Sequence, residues 1–148
     1  ALFVGSDDGH LYCLDAATGK LRWKLRAGPR GDLLLGNERM VSRWPVRGGA
    51  AIRDGILYFA AGIWPTEGVF VYALNAKTGK VIWKKMFKPY KMRNAWGTGA
   101  SPVLAGNQLI IVNDNEEESW VVAFDKLTGR ELWKTKRDEP SNWATPFV

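Results

Sequence analysis

A 148-residue chain with 46% hydrophobic and 24% charged residues can bury one sizeable globular core, and no apolar run in it reaches the length that spans a bilayer. The net charge of +6 is dispersed and comes with no helix-turn-helix, zinc-finger or RNA-binding signature, so no nucleic-acid partner is expected. Cys13 is the sole cysteine, which excludes an intrachain disulfide. His10 is the sole histidine, which leaves a His-based metal site or a Ser-His-Asp triad without its other members.

The chain opens on LFVG, a strand-like run with no Met and no basic leader before it, as expected of an excised or mature fragment. Short apolar segments rich in β-branched and aromatic residues then alternate along the sequence, with no 3.6-residue periodicity. Asp8-Gly9, Asp54-Gly55 and Gly106-Asn107 mark tight turns between them. Residues 1–26 supply three strands, lettered B to D. Residues 48–86 supply four: A at 50–53, B at 56–61, C at 69–74 and D at 80–85. Residues 99–136 repeat the set at 102–105, 108–113, 120–124 and 130–135. Residues 143–148 align with the start of the third unit and predict an orphan strand A. The sum of three, four, four and one is twelve strands, enough for three blades. Four-stranded antiparallel units at this pitch predict an all-β fold of propeller blades.

A decamer closes each unit: LDAATGKLRW, LNAKTGKVIW and FDKLTGRELW. Asp15, Asn75 and Asp125 end strand C, where a side-chain oxygen can accept from turn amides. Thr18, Thr78 and Thr128 can cap the same turn. Gly19, Gly79 and Gly129 follow where a positive φ is needed. Trp23, Trp83 and Trp133 sit on strand D and offer a large apolar area with one N–H, suited to packing blade on blade. Cys13 occupies the column of Ala73 and Ala123, which asks for a small buried residue. The decamer is therefore structural.

The pattern Ala-x-Asp/Asn-x-x-Thr-Gly-Lys/Arg-x-x-Trp resembles the tryptophan-docking motif of the pyrroloquinoline quinone (PQQ)-like β-propeller repeats. Ala73, Asn75, Thr78, Gly79, Lys80 and Trp83 carry it, as do Ala123, Asp125, Thr128, Gly129, Arg130 and Trp133. The resemblance implies either a quinone dehydrogenase, in which an eight-bladed propeller holds quinone and calcium beside an Asp base, or a scaffold module. The chain has no Cys-Cys pair and no carboxylate that matches the catalytic Asp or the calcium ligands. Glu116-Glu117-Glu118 reads as a solvated B–C hairpin tip. The expectation is a non-catalytic scaffold or binding module with no cofactor, metal or catalytic residue. Two alternatives stand beside it: a fragment of a PQQ- and calcium-dependent dehydrogenase, and a carbohydrate- or anion-binding propeller. The resemblance also implies an extracytoplasmic bacterial setting.

The D-to-A connections carry Trp44, Trp96 and Trp143 with Arg39, Arg43, Arg47, Lys88, Lys91 and Arg93. Arg43, Trp44, Arg47, Arg93, Trp96 and Trp143 form a candidate rim for an anionic, sugar or protein partner. The competing reading has the Trp residues plugging the loops and the Arg residues paired with Asp32, Glu38 and Asp138. Trp64-Pro65 and Trp120 read as edge packing. Three blades are too few for a ring, so the orphan strand is expected to complete the first blade of a second copy, giving a six-bladed homodimer by strand addition.

Overall fold

The computed structural model describes every residue from Ala1 to Val148 except Asn37, Pro65, Thr98 and Gly99. Three antiparallel sheets follow one another along the chain. The first is β1 (Leu2–Gly5), β2 (His10–Leu14) and β3 (Leu21–Arg26), ordered β1-β2-β3. A separate hairpin, β4 (Leu33–Gly36) and β5 (Arg39–Ser42), comes next. The second blade is β6 (Ala51–Arg53), β7 (Ile56–Ala61), β8 (Val69–Asn75) and β9 (Val81–Phe87), and the third is β10 (Val103–Ala105), β11 (Gln108–Asn113), β12 (Ser119–Asp125) and β13 (Glu131–Arg137). Each is a four-stranded sheet in sequence order, the blade unit of a β-propeller.

Two parts of the strand count differ from the sequence reading. The β4–β5 hairpin lies inside what reads as a connection. Its turn passes through Glu38 at φ 63, and Leu33, Leu35 and Met40 are exposed, so it lacks the buried-face alternation that marks the blade strands. Residues 143–148 form no strand: the isolated bridge between Asp114 and Asn142 lies just before them, and Thr145 Oγ1 accepts from the Ser101 amide. Inner strands β6 and β10, by contrast, each pair with the next strand of their own blade. The turn at Asp8-Gly9 joins strands equivalent to B and C, so it lies at the blade end opposite Asp54-Gly55.

Blade two is buried on both sides, and strand periodicity sorts its residues between them. Leu57, Phe59, Tyr72 and Leu74 face blade one with Leu11 and Val46. Tyr58, Val71 and Ala73 face blade three with Leu109, Trp120 and Phe124. Phe59 and Tyr72 stack at 5.0 Å between centroids. Burial pushes the Tyr72 phenol up to about 12, so it remains a donor, and it hydrogen-bonds the Ala27 carbonyl.

The decamers build both joints. Asn75 Oδ1 accepts from the amides of Lys77 and Thr78 and from Thr78 Oγ1, at 2.9–3.1 Å. Asp15 and Asp125 repeat this pattern with their own Thr residues. Cys13, Ala73 and Ala123 each pair with the docking Trp of their blade, just before a register shift. All three are buried, since a larger side chain there would face the indole. Trp23 then crosses to blade two and donates to the Ala76 carbonyl at 3.3 Å. Trp83 crosses to blade three and donates to the Lys126 carbonyl at 2.9 Å. The indoles lie flat on the next blade's glycine: a Cβ on Gly79 would come within 2.8 Å of Trp23, and one on Gly129 within 2.8 Å of Trp83.

Two comparisons test this docking. Trp83→Ala is expected to cost about 3–5 kcal/mol, and Trp133→Ala much less, because Trp133 is 39% exposed and docks on no blade here. Gly129→Ala should destabilise more than Gly19→Ala. Both glycines hold a positive φ, 71° and 69°, so they share the backbone penalty, but a Cβ on Gly19 would meet nothing within 4 Å. Thermal unfolding of the four variants measures this, and equal shifts for the glycine pair would refute the docking role.

Candidate functional site

Antiparallel alternation puts the blade connections at two ends. The A–B and C–D turns share one end, where the Ala76 amide donates to the Gly55 carbonyl and the Lys126 amide to the Asn107 carbonyl. The B–C turns and D-to-A connections share the other. Docking chemistry and connection chemistry are thereby separated by the length of a blade.

In the first connection, Asp7 on the β1–β2 turn is the anchor. Arg47 Nε donates to its Oδ1 at 2.5 Å, and Arg39 donates to Oδ2. The Arg47 hydrogen bond does most to hold the Asp7 carboxyl below the usual carboxylate range. The Ser42 amide donates to the Asp7 carbonyl and the Val46 amide to the Ser6 carbonyl, which lays the β5 end against blade one. Arg43 pairs with Glu67 at 3.0 Å and lies 3.9 Å from Asp32. Trp44 is only 4% exposed: its indole donates to the Glu67 carbonyl at 3.0 Å and meets Phe70 edge-on at 6.1 Å. It is a packing residue and presents no face to a rim.

The second and third connections lean on each other. Trp96 and Trp143 approach to 5.5 Å, and Trp143 donates to the Gly97 carbonyl at 2.6 Å. Trp96 is 58% exposed. The Arg93 amide donates to Ser141 Oγ, and the Ser141 amide donates to Glu116 Oε1, whose carboxylate lies 3.8 Å from Arg93 Nε. Glu116 is thus a clamp between loops, although it is exposed like Glu117 and Glu118. Their turn is built by Asn115, whose Oδ1 accepts both glutamate amides at 2.8 Å. Of the expected acidic partners only Asp32 is used among the described residues; Asp7, Glu67 and Glu116 supply the rest.

Sequence reasoning missed the cavity at this end, between blades two and three, with a volume of about 170 Å³. Its walls are Val69, Val71, Phe87, Ile111 and Trp120, with Arg47, Lys88, Tyr90, Ser101 and Asn113 as the polar members. Trp120 is 2% exposed, so it belongs to the inter-blade core and not to a sheet edge. Its indole donates to Tyr90 Oη at 3.4 Å. Asn113 is buried, and its Oδ1 has no hydrogen-bond partner among the described residues. Pro65, expected to pack at an edge with Trp64, lies outside the described residues. Trp64 donates to the Ser42 carbonyl at 3.4 Å.

A calcium-bound quinone would need converging oxygen ligands. Among the described residues no group of three His, Cys, Asp or Glu side chains could hold a metal ion. Asp114, a buried carboxylate at this end, is spent on Arg137 in a two-point pair at 2.8 and 3.2 Å. The residues of these three blades do not by themselves fit the metal.

Three comparisons bear on the chain. A family described as outer membrane protein assembly factor BamB matches residues 1–44 and 36–146. Over 140 residues the chain is 29% identical to the 1-butanol dehydrogenase (quinone) of Thauera butanivorans and 32% identical to the quinoprotein ethanol dehydrogenase of Pseudomonas aeruginosa. Each alignment covers 89% of the chain and 20% of the relative. BamB from Moraxella catarrhalis superposes with a TM-score of 0.60 at 20% identity, over 90% of this chain and 32% of that one. The chain therefore spans about a fifth of the length of the curated relatives it matches. The expectation of a non-catalytic scaffold that is not an enzyme is overturned here: the relatives are quinone-dependent alcohol dehydrogenases, and the dehydrogenase-fragment alternative is the better supported.

The Asp7 anchor makes a pH prediction. Its folded pKa is depressed, so its stabilisation is present above the unfolded value of about 4 and is lost as pH falls through the lower folded value. Asp7→Asn should flatten the loss of stability below about pH 4 in urea melts. An unchanged acid limb would show that the pair is not coupled to folding.

Proposed function

Because the chain belongs to the PQQ-like β-propeller family, we propose that it forms three blades in the wall of a quinone-dependent alcohol dehydrogenase. The observation that carries this reading is the likeness to quinone-dependent dehydrogenases across about nine-tenths of the chain. Two open faces support it. On the blade-one side Gly19 is exposed, along with Leu2 at 52% and Leu21 at 54%. On the blade-three side Trp133 and Leu127 are exposed. Each is half of a joint already built twice inside the chain. Trp133 falls back on its own blade, donating to Gln108 Oε1 at 3.2 Å, and waits for a glycine turn.

In this reading further blades of the same propeller cover both faces and bring the carboxylates for calcium and the quinone. An extracytoplasmic bacterial setting goes with it, because the relatives are bacterial and the matching family is described by an outer-membrane assembly factor. No helix among the described residues is long and apolar enough to cross a membrane.

Dye-linked oxidation of ethanol and 1-butanol by the complete propeller containing these blades, with added quinone and calcium, should be quinone-dependent. Trp133→Ala should lower it by loosening a blade joint. Absence of quinone-dependent turnover with either alcohol would overturn the proposal. Light scattering identifies where the missing blades come from. A particle of about 33 kDa, twice 16.6 kDa, would assign them to a second copy of this chain.

A further inference from the structure

We propose that the cavity between blades two and three binds a compact organic monocarboxylate with a single aromatic ring or a branched apolar body. Size, lining and charge agree on this class. At about 170 Å³ the cavity resembles those of roughly 150 Å³ that hold one benzene ring. Val69, Val71, Phe87, Ile111 and Trp120 offer that ring an apolar and aromatic bed.

Two cations, Arg47 and Lys88, stand in the lining, and no Asp or Glu does among the described residues. Asp7 uses the Nε edge of Arg47, which leaves the guanidinium its other donors. Lys88 forms no ion pair among the described residues, and its Nζ rests 5.1 Å from the Tyr90 ring centroid. The Tyr90 oxygen accepts from Trp120, so its own proton remains free to donate. A carboxylate at this polar side would receive charge-assisted hydrogen bonds while its apolar body leaves water. A neutral guest of the same shape would forgo the first gain, and a small inorganic anion the second.

The inference does not rest on the dehydrogenase reading. The test is calorimetric titration of the full chain with benzoate and with its neutral isostere benzamide. Benzoate should bind at least about tenfold more tightly, the scale of one charge-assisted contact. Lys88→Gln, an exposed loop change that leaves the core intact, should narrow the margin of benzoate over benzamide several-fold without altering benzamide. Ala60 on β7 also lines the cavity, and Ala60→Phe should abolish binding of both by filling it. Equal affinity for the two probes, or no saturable benzoate binding by the folded chain, would overturn the proposal. So would benzoate binding that survives Ala60→Phe, or pyrroloquinoline quinone displacing benzoate competitively, which would make the cavity part of a cofactor site. None of these outcomes depends on alcohol oxidation.

Discussion

The indole of one blade lying over a glycine of the next is the contact on which the rest of this structure depends. It requires three things at once: a glycine with positive φ and no Cβ, a turn carbonyl aimed outward, and a Trp on the outer strand. The decamer supplies all three within ten residues. The Asx-type turn fixes the carbonyl that the neighbouring indole finds. The two joints are not equal, however. At the second, the Lys126 carbonyl accepts both Trp83 Nε1 and the Tyr58 hydroxyl, and Lys126 Nζ reaches Asp54 at 3.0 Å. At the first, Phe3 stands in the column of Tyr58 and brings no hydroxyl. Trp23 is alone on the Ala76 carbonyl, at the longer distance of 3.3 Å. Blades two and three are therefore the tighter pair, and the cavity opens along that better-fixed seam.

Confining this chemistry to one end of the blades frees the other end. The connections there vary in length and content, from the β4–β5 hairpin to the crossed segments around Trp96 and Trp143. They are held by ion pairs and single hydrogen bonds more than by backbone ladders. A scaffold whose joints do not involve these connections can change them without disturbing the fold, and loops on a rigid frame are where proteins place recognition. The polar cavity residues come from the first two connections and from the start and end of strands in blade three, so the site is a product of blade packing and not of any one blade.

What was legible in the sequence follows from range. The Asx turns, the glycines and the small column at Cys13, Ala73 and Ala123 are local, so spacing alone revealed them. Strand bounds followed from turn residues and alternation. The β4–β5 hairpin was hidden because its leucines face outward and its turn carries no strong signature. The partners of the arginines were hidden for a different reason. Asp7 lies 32 residues from Arg39 and 40 from Arg47, and Arg43 lies 24 from Glu67. Only the convergence of connections at one end brings them together. The cavity has no sequence signature at all, since its walls come from two connections, the B–C turn of blade two and the strands of two blades.

The decamer could identify the fold but was silent on activity, because the joint is the same physical device whether the propeller scaffolds or catalyses. Looking for a complete calcium and quinone site in this chain and finding none favoured the scaffold. Three blades, however, need not contain the chemistry of a whole ring. A propeller's central site draws on loops from many blades, so a stretch a fifth as long as its relatives can lack most of the ligands and still belong to an enzyme. The discriminating information is the likeness to dehydrogenases over about nine-tenths of the chain, at 29–32% identity. An absent ligand set in part of a closed ring limits where the chemistry sits, and carries no weight about whether the ring performs it.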